Sequence, residues 1–243
     1  MIVVDDVTKF RGHERVLDRV SLSIERGQQV GLIGPGGAGK SLILKIVAGL
    51  VRPDSGTVTV DGEVVTSMSE VELASIRGRI GMLFQNYALF DFMTVEENIA
   101  FPLRQLGAMP DEEIRAEVKR LLEAVDLPGI QHQFPSELSG GMKKRVTFAR
   151  AIIANPPILF YDDPTAGLDP VTSGKIFALL ESKRRQGGTT SVVISHDLLG
   201  MRDICDTFIL VDHGRIVFRG SRSDFEASEN RFVQQFWRGE ADE

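Results

Sequence analysis

Between residues 30 and 46 the chain carries a pattern that few folds can hold. An apolar, strand-like run Val30-Gly31-Leu32-Ile33 passes into Gly34-Pro35-Gly36-Gly37-Ala38-Gly39-Lys40-Ser41, and helical spacing of Leu42, Ile43 and Ile46 follows at once. The loop fits G-x-x-x-x-G-K-[ST] in the strand–loop–helix setting that gives the motif its meaning. Glycines let backbone N–H groups turn inward around the β- and γ-phosphates of a nucleotide, and the helix N-terminus adds partial positive charge. Lys40 is placed to hold the terminal phosphates, and the Ser41 hydroxyl to ligate magnesium.

Upstream, residues 1–33 alternate apolar and polar positions, as in Val16-Leu17-Asp18-Arg19-Val20-Ser21-Leu22-Ser23-Ile24, which predicts antiparallel strands. Leu50 extends the apolar face of the helix after the loop, and residues 57–65 read as a hairpin turning at Asp61-Gly62. Residues 84–106 are rich in aromatics and read as loop. Asp111 opens a helix with Ile114, Val118, Leu121, Leu122 and Val125 on one face, and another helix is expected from about Gly140 to Ala154, before Asn155-Pro156-Pro157. The short apolar runs at 158–161, 191–194 and 208–211, with a helical stretch at 171–185 between the first two, belong in a sheet covered on both faces.

A phosphate loop requires a carboxylate at the end of a neighbouring apolar strand, and Ile158-Leu159-Phe160-Tyr161-Asp162 supplies one on the magnesium side. The next residue, Asp163, is placed to orient the attacking water or accept its proton, although two adjacent carboxylates can also be a solvated strand exit. The net charge of −6 argues against a broad basic surface for nucleic acid. Cys205 is the only cysteine, which suits a reducing compartment. No run approaches the roughly 18–20 apolar residues of a membrane span, and the N-terminus lacks the pattern of a signal peptide, so a cytoplasmic chain is expected.

A phosphate loop alone leaves kinases, GTPases and helicases open. What narrows the choice is Leu138-Ser139-Gly140-Gly141-Met142 shortly before the acidic strand, which resembles the signature of ATP-binding cassette ATPases. Ser139 and the N–H groups of Gly140 and Gly141 at a helix start form an anion site. In family order, Gln85 resembles the Q-loop glutamine that touches magnesium or water, Ala166-Gly167-Leu168-Asp169 the D-loop, and His196 the switch histidine at the γ-phosphate. The resemblance covers about residues 2–225. It implies an α/β fold, a P-loop NTPase (RecA-like) core with an antiparallel β-subdomain and an inserted α-helical subdomain. The core would comprise 1–85 and 156–225, the helical signature subdomain 86–155, and a C-terminal tail 226–243. It further implies ATP and Mg2+ as ligands and a head-to-tail homodimer, in which the signature of one copy caps ATP on the phosphate loop of the other. An integral membrane permease would hold the chain at the cytoplasmic face of the membrane.

Three positions depart from the family pattern. Met142 stands where glutamine is usual, which leaves the backbone anion site intact; Asp163 stands where glutamate is usual, so competent but slower hydrolysis is expected. Arg11 stands where an adenine-stacking aromatic is expected, leaving either its guanidinium or Phe10 to stack. Several stretches, among them Met82-Leu83-Phe84-Gln85, Asn98-Ile99-Ala100-Phe101-Pro102-Leu103-Arg104 and residues 135–142, most resemble the ATPases of Mla and Mce phospholipid-transport systems, which implies an Mce-domain partner. An importer of another small substrate, or a cassette protein outside transport, are the alternatives. Five aromatics between Phe84 and Phe101 suggest an apolar groove for a permease helix. Lys143, Lys144 and Arg145 read as a solvated helix face. Phe232, Val233, Phe236 and Trp237 read as an exposed stripe that docks on the partner ATPase.

Overall fold

The alternation at the N-terminus produces β1 (Ile2–Arg11) and β2 (Glu14–Ile24), which pair antiparallel. β1 also pairs with β4 (Ser55–Val60), which turns into β5 (Glu63–Val64), so this sheet runs β2-β1-β4-β5. Asp61 and Gly62, both at positive φ, form the tight turn that the Asp-Gly pair favours. Strict alternation slips once in each long strand. After Ile2 and Val4 the next buried apolar residue is Val7, and Leu17 is followed by Val20. Asp6 (φ 50) and Arg19 (φ 52) stand at these slips as bulges that return the apolar side to the core. The computed structural model describes residues 1–107 and 109–239.

Five parallel strands, β3 (Gln29–Ile33), β6 (Ile80–Leu83), β7 (Ile158–Asp162), β8 (Thr190–Ile194) and β9 (Thr207–Asp212), form the second sheet with an antiparallel edge strand, β10 (Arg215–Gly220). Its order is β10-β9-β3-β8-β7-β6. Every residue of β3, β7 and β8 is buried because both faces are covered. On β7, Ile158 and Phe160 join an apolar cluster with the small sheet and α1 (Lys40–Val47), whereas Leu159 and Tyr161 enter the cluster of the other helices. α1 ends sooner than its pattern suggests. Gly49 at φ 66 turns the chain, and Leu50 is 44% exposed instead of lying on the apolar face.

α2 (Glu70–Gly78) leads into β6, and between β6 and β7 the chain forms α3 (Val95–Leu106), α4 (Asp111–Ala124) and α5 (Gly140–Ile152). α3 corrects the reading of residues 84–106 as loop. Thr94 and Glu97 form a reciprocal capping box, and Val95, Ile99, Ala100 and Leu103 are buried on one face. Pro102 lies inside the helix and removes one backbone donor without breaking it. Asn98, fully buried, donates from Nδ2 to the carbonyls of Phe90, Met93 and Thr94 and accepts the Phe90 N–H, tying the aromatic turn to the helix.

The C-terminal stripe is also corrected. On α9 (Arg231–Arg238), Val233 is 0% and Trp237 3% exposed, while Phe232 and Phe236 are half-buried against the same cluster. Trp237 meets Phe208 of β9 edge-on and Phe225 of α8 (Arg222–Glu226), both at 4.9 Å between ring centres. The guanidinium of Arg202, on α7 (Leu198–Ile204), lies 4.4 Å above the indole. The stripe is therefore chiefly the floor of this chain's own core rather than an exposed patch. Residues 240–243 of the tail lie outside the described residues.

Candidate functional site

The phosphate loop leaves β3 at Gly34 and enters α1 at Lys40, so residues 34–41 wrap the C-terminal end of a central strand. Two glycines are required by the backbone. Gly34 has φ 146 and a Cβ there would stand 2.0 Å from the Val211 carbonyl oxygen, while Gly39 has φ 99 and its Cβ would meet Leu17 Cδ2 at 2.5 Å. Pro35, Gly36, Gly37 and Ala38 complete the turn, with no atom within 4 Å of a Cβ at Gly36 or Gly37. That space is the cradle a phosphate chain needs. Lys40 is buried and donates from Nζ to the carbonyls of Gly34 and Pro35, both at 2.7 Å, folding back across the loop. Burial pushes its pKa down, and the charges of Asp163 and Asp162 oppose that shift.

Strand pairing brings β7 beside this loop by way of β8. Asp162, the last residue of β7, accepts a hydrogen bond from Ser41 Oγ at 2.6 Å. Asp163 lies just past the strand, buried, with φ 51. Left-handed backbone is uncommon outside glycine, though aspartate tolerates it best, and it persists where neighbours hold it. Here the Asp163 N–H donates to the Ile194 carbonyl at 2.9 Å. His196, exposed just beyond β8, brings Nε2 to 3.9 Å from Asp163 Oδ2, beyond direct hydrogen-bond reach.

Ser139 caps α5, its Oγ accepting the Met142 N–H at 3.3 Å. A Cβ at Gly140 would meet Tyr87 Oη at 3.1 Å, and one at Gly141 would meet Thr172 at 2.7 Å. Asp169 is the N-cap of α6 (Pro170–Arg185). Its carboxylate accepts from the Val171 and Thr172 N–H groups and from Thr172 Oγ1, and the Thr172 hydroxyl chiefly holds its pKa down. Those contacts explain Asp169 as a helix cap. Phe10 and Arg11 are exposed at the end of β1, with the Arg15 guanidinium 5.5 Å over the Phe10 ring. On β2, Leu17 Cδ2 and the Val16 carbonyl oxygen lie 2.5 and 3.2 Å from where a Cβ on Gly39 would stand.

The basic run after the signature is not a solvated face. Lys144 is 0% exposed and donates from Nζ to the carbonyls of Gln85, at 2.8 Å, and Asp163, at 3.0 Å. Arg145 donates to the carbonyls of Val125 and Asp126, and Lys143 lies 5.9 Å from the Tyr87 ring centre. Sequence reasoning missed Lys144 although its signal was present. Lys144, Thr147, Phe148 and Ala151 recur at the three- and four-residue spacing of a buried helix face.

A profile of the ABC transporter family matches residues 17–166, more than half of the chain and the part that holds the phosphate loop, the signature and the acidic strand end. The chain belongs to the ABC transporter family. Among curated relatives, the methionine import ATP-binding protein MetN of Carboxydothermus hydrogenoformans is 46% identical over 227 residues, covering 92% of this chain and 67% of that protein. The intermembrane phospholipid transport system ATP-binding protein MlaF of Escherichia coli K12 is 38% identical over 242 residues, covering 100% of this chain and 90% of that protein. A solved structure, a dimeric post-hydrolysis state of the ATP-binding cassette MJ0796 bound to ADP and Pi, matches with a TM-score of 0.85 at 34% identity, over 91% of this chain and 98% of that one.

As an ABC transporter ATPase, the chain binds and hydrolyses ATP on a cassette fold. Its shorter carboxylate at Asp163 leads to one expectation. If Asp163 is the residue that orients the attacking water, Asp163→Glu raises turnover of the assembled transporter several-fold, read as phosphate release at saturating ATP, because the side chain is one methylene longer. An unchanged or lower rate would assign any slow step elsewhere.

Proposed function

We propose that this ABC ATPase powers phospholipid transport of the Mla/Mce type, docked on an integral membrane permease at the cytoplasmic face of the membrane with an Mce-domain protein in the assembly. The observation that carries the reading is extent of likeness. The alignment with the phospholipid-system relative runs through the whole chain, α8 and α9 included, whereas the methionine-import relatives, although more identical, align with 91–97% of it. A groove of about 850 Å³ lined by Met82, Phe84, Phe90, Phe101, Pro102 and Leu106 supports the permease contact, since an apolar recess of this size beside the Q-loop suits an inserted helix. Among the described residues no helix is long and apolar enough to cross a membrane.

In this reading residues 1–85 and 156–225 bind nucleotide, residues 86–155 carry the signature, and two copies pair head to tail. Lys40 turns from the Gly34 and Pro35 carbonyls toward the terminal phosphates. Ser41 Oγ and Asp162 Oδ1, hard oxygen donors 2.6 Å apart, fit magnesium, with Gln85 as a further oxygen donor. Magnesium supplies neutralisation of charge on the phosphate oxygens. Asp163 orients and deprotonates water, His196 contacts the γ-phosphate, and Ser139, Gly140 and Gly141 of the second copy close the site.

The test is purification of the assembled complex in detergent, followed by lipid extraction and ATPase assays in nanodiscs. Bound phospholipid and a rate that rises with phospholipid supply are expected. Turnover stimulated by methionine with a methionine-binding partner, and no bound lipid, would overturn the proposal and make the chain an amino-acid import ATPase.

A further inference from the structure

We propose that Lys144 is a positioning residue for hydrolysis, an internal tie that holds the Asp163 backbone and the Gln85 loop to the signature helix. The proposal rests on the reading of Asp163 as the residue that activates water. Lys144 is fully buried with two of its three ammonium donors on carbonyls from two different segments, residue 85 after β6 and residue 163 after β7. The Tyr87 ring stands 5.1 Å from Nζ. A buried ammonium is costly unless its donors are matched, so its place here marks a geometry the fold maintains against desolvation.

What the tie holds is strained. Asp163, Tyr87 and Ala88 have φ of 51, 61 and 50, values that non-glycine backbone adopts only when surroundings impose them. Asp163 is pinned on both sides, its N–H to the Ile194 carbonyl and its own carbonyl to Lys144. The loop at 85–88 is pinned by the same face of α5. Thr147 Oγ1 reaches the Tyr87 carbonyl at 3.3 Å, and Arg150 donates to the carbonyls of Tyr87 at 3.0 Å and Ala88 at 2.6 Å. Lys144, Thr147 and Arg150 thus form a row three residues apart along one helix.

That helix is capped by Ser139, about 7.5 Å from Lys144 along its axis at ~1.5 Å per residue. Any shift of α5 when its N-terminus closes on the partner's nucleotide moves Lys144 too. The ammonium then carries the shift to the backbone of Asp163 and to the loop beside the permease groove. Lys144 touches neither water nor phosphate; it acts through Asp163.

The experiment compares Lys144→Met, which keeps length and volume, and Lys144→Arg, which restores cationic donors, in the assembled complex. Turnover, KM, affinity for a fluorescent ATP analogue and thermal midpoint are measured together, with Lys40→Ala as reference. Expected is at least a tenfold fall in kcat for Lys144→Met with KM and nucleotide affinity within twofold, and recovery to within threefold of the parent in Lys144→Arg. Unchanged kcat in Lys144→Met would overturn the proposal. So would a fall in both variants that tracks loss of folded complex. If Asp163→Asn, measured alongside, also hydrolyses ATP normally, the reading of Asp163 on which the proposal rests fails; if only Lys144→Met is silent, the positioning role alone does.

Discussion

Asp163→Asn leaves ATP bound and slows its hydrolysis by about 10²–10⁴-fold, the usual range for removing a positioned general base. The substitution is close to isosteric and asparagine tolerates left-handed backbone, so φ 51 is kept. Both backbone anchors, to the Ile194 carbonyl and from the Lys144 ammonium, involve main-chain atoms and survive. Only the carboxylate charge is lost. Phosphate release should fall to near background while size-exclusion chromatography with Mg-ATP shows an accumulated dimer, because in the proposed head-to-tail pairing ATP links the copies until it is cleaved. A rate within tenfold of the parent would remove Asp163 from the chemistry and point to His196, whose Nε2 lies 3.9 Å from Asp163 Oδ2, as the group to replace it.

Trp237→Ala lowers the stability of the isolated chain by about 3–5 kcal/mol, the range for removing a large aromatic from a core. The indole packs against Phe208 and Phe225, and Arg202 covers it while also donating to the Trp237 carbonyl, so its removal opens a void among α7, α8, α9 and the sheet. For a chain of this size the loss corresponds to a fall in thermal midpoint of roughly 6–20 °C. The half-buried Phe236→Ala provides the contrast, with a loss of about 1 kcal/mol. A tail that served only to dock on a second copy would predict an unchanged midpoint for both variants in dilute monomer. Measuring the two side by side by thermal unfolding therefore separates core from docking surface.

The elements most legible in the sequence were those whose cause is local. Gly34 to Ser41 identified itself because strand, glycine spacing, lysine and helix start lie within a dozen residues, and the structure places Ser41 against Asp162 as motif order suggests. The Asp61-Gly62 hairpin and the buried parallel strands followed from turn chemistry and from unbroken apolar runs. The reading of residues 84–106 as loop rested on their aromatics and passed over the capping box at Thr94 and Glu97, a local signal that starts α3.

Lys144 and the C-terminal stripe belong to a different class. A lysine in a basic triplet reads as solvated, because water is the cheapest partner for an ammonium unless matched acceptors exist elsewhere. Its acceptors lie 59 and 19 residues away, on loops that meet only once β6 and β7 pair. Likewise the apolar face of α9 was plain, but whether it faced solvent, a second copy or its own sheet depended on Phe208 and Phe225, brought beneath it by β9 and α8. By itself the sequence determined the nucleotide loop, the acidic strand end and the family pattern, since spacing along a chain dictates local backbone and which side chains share a face. Only the tertiary structure decided which charges are buried and what covers each apolar face, because burial is set by segments remote in sequence that converge after the sheet has formed.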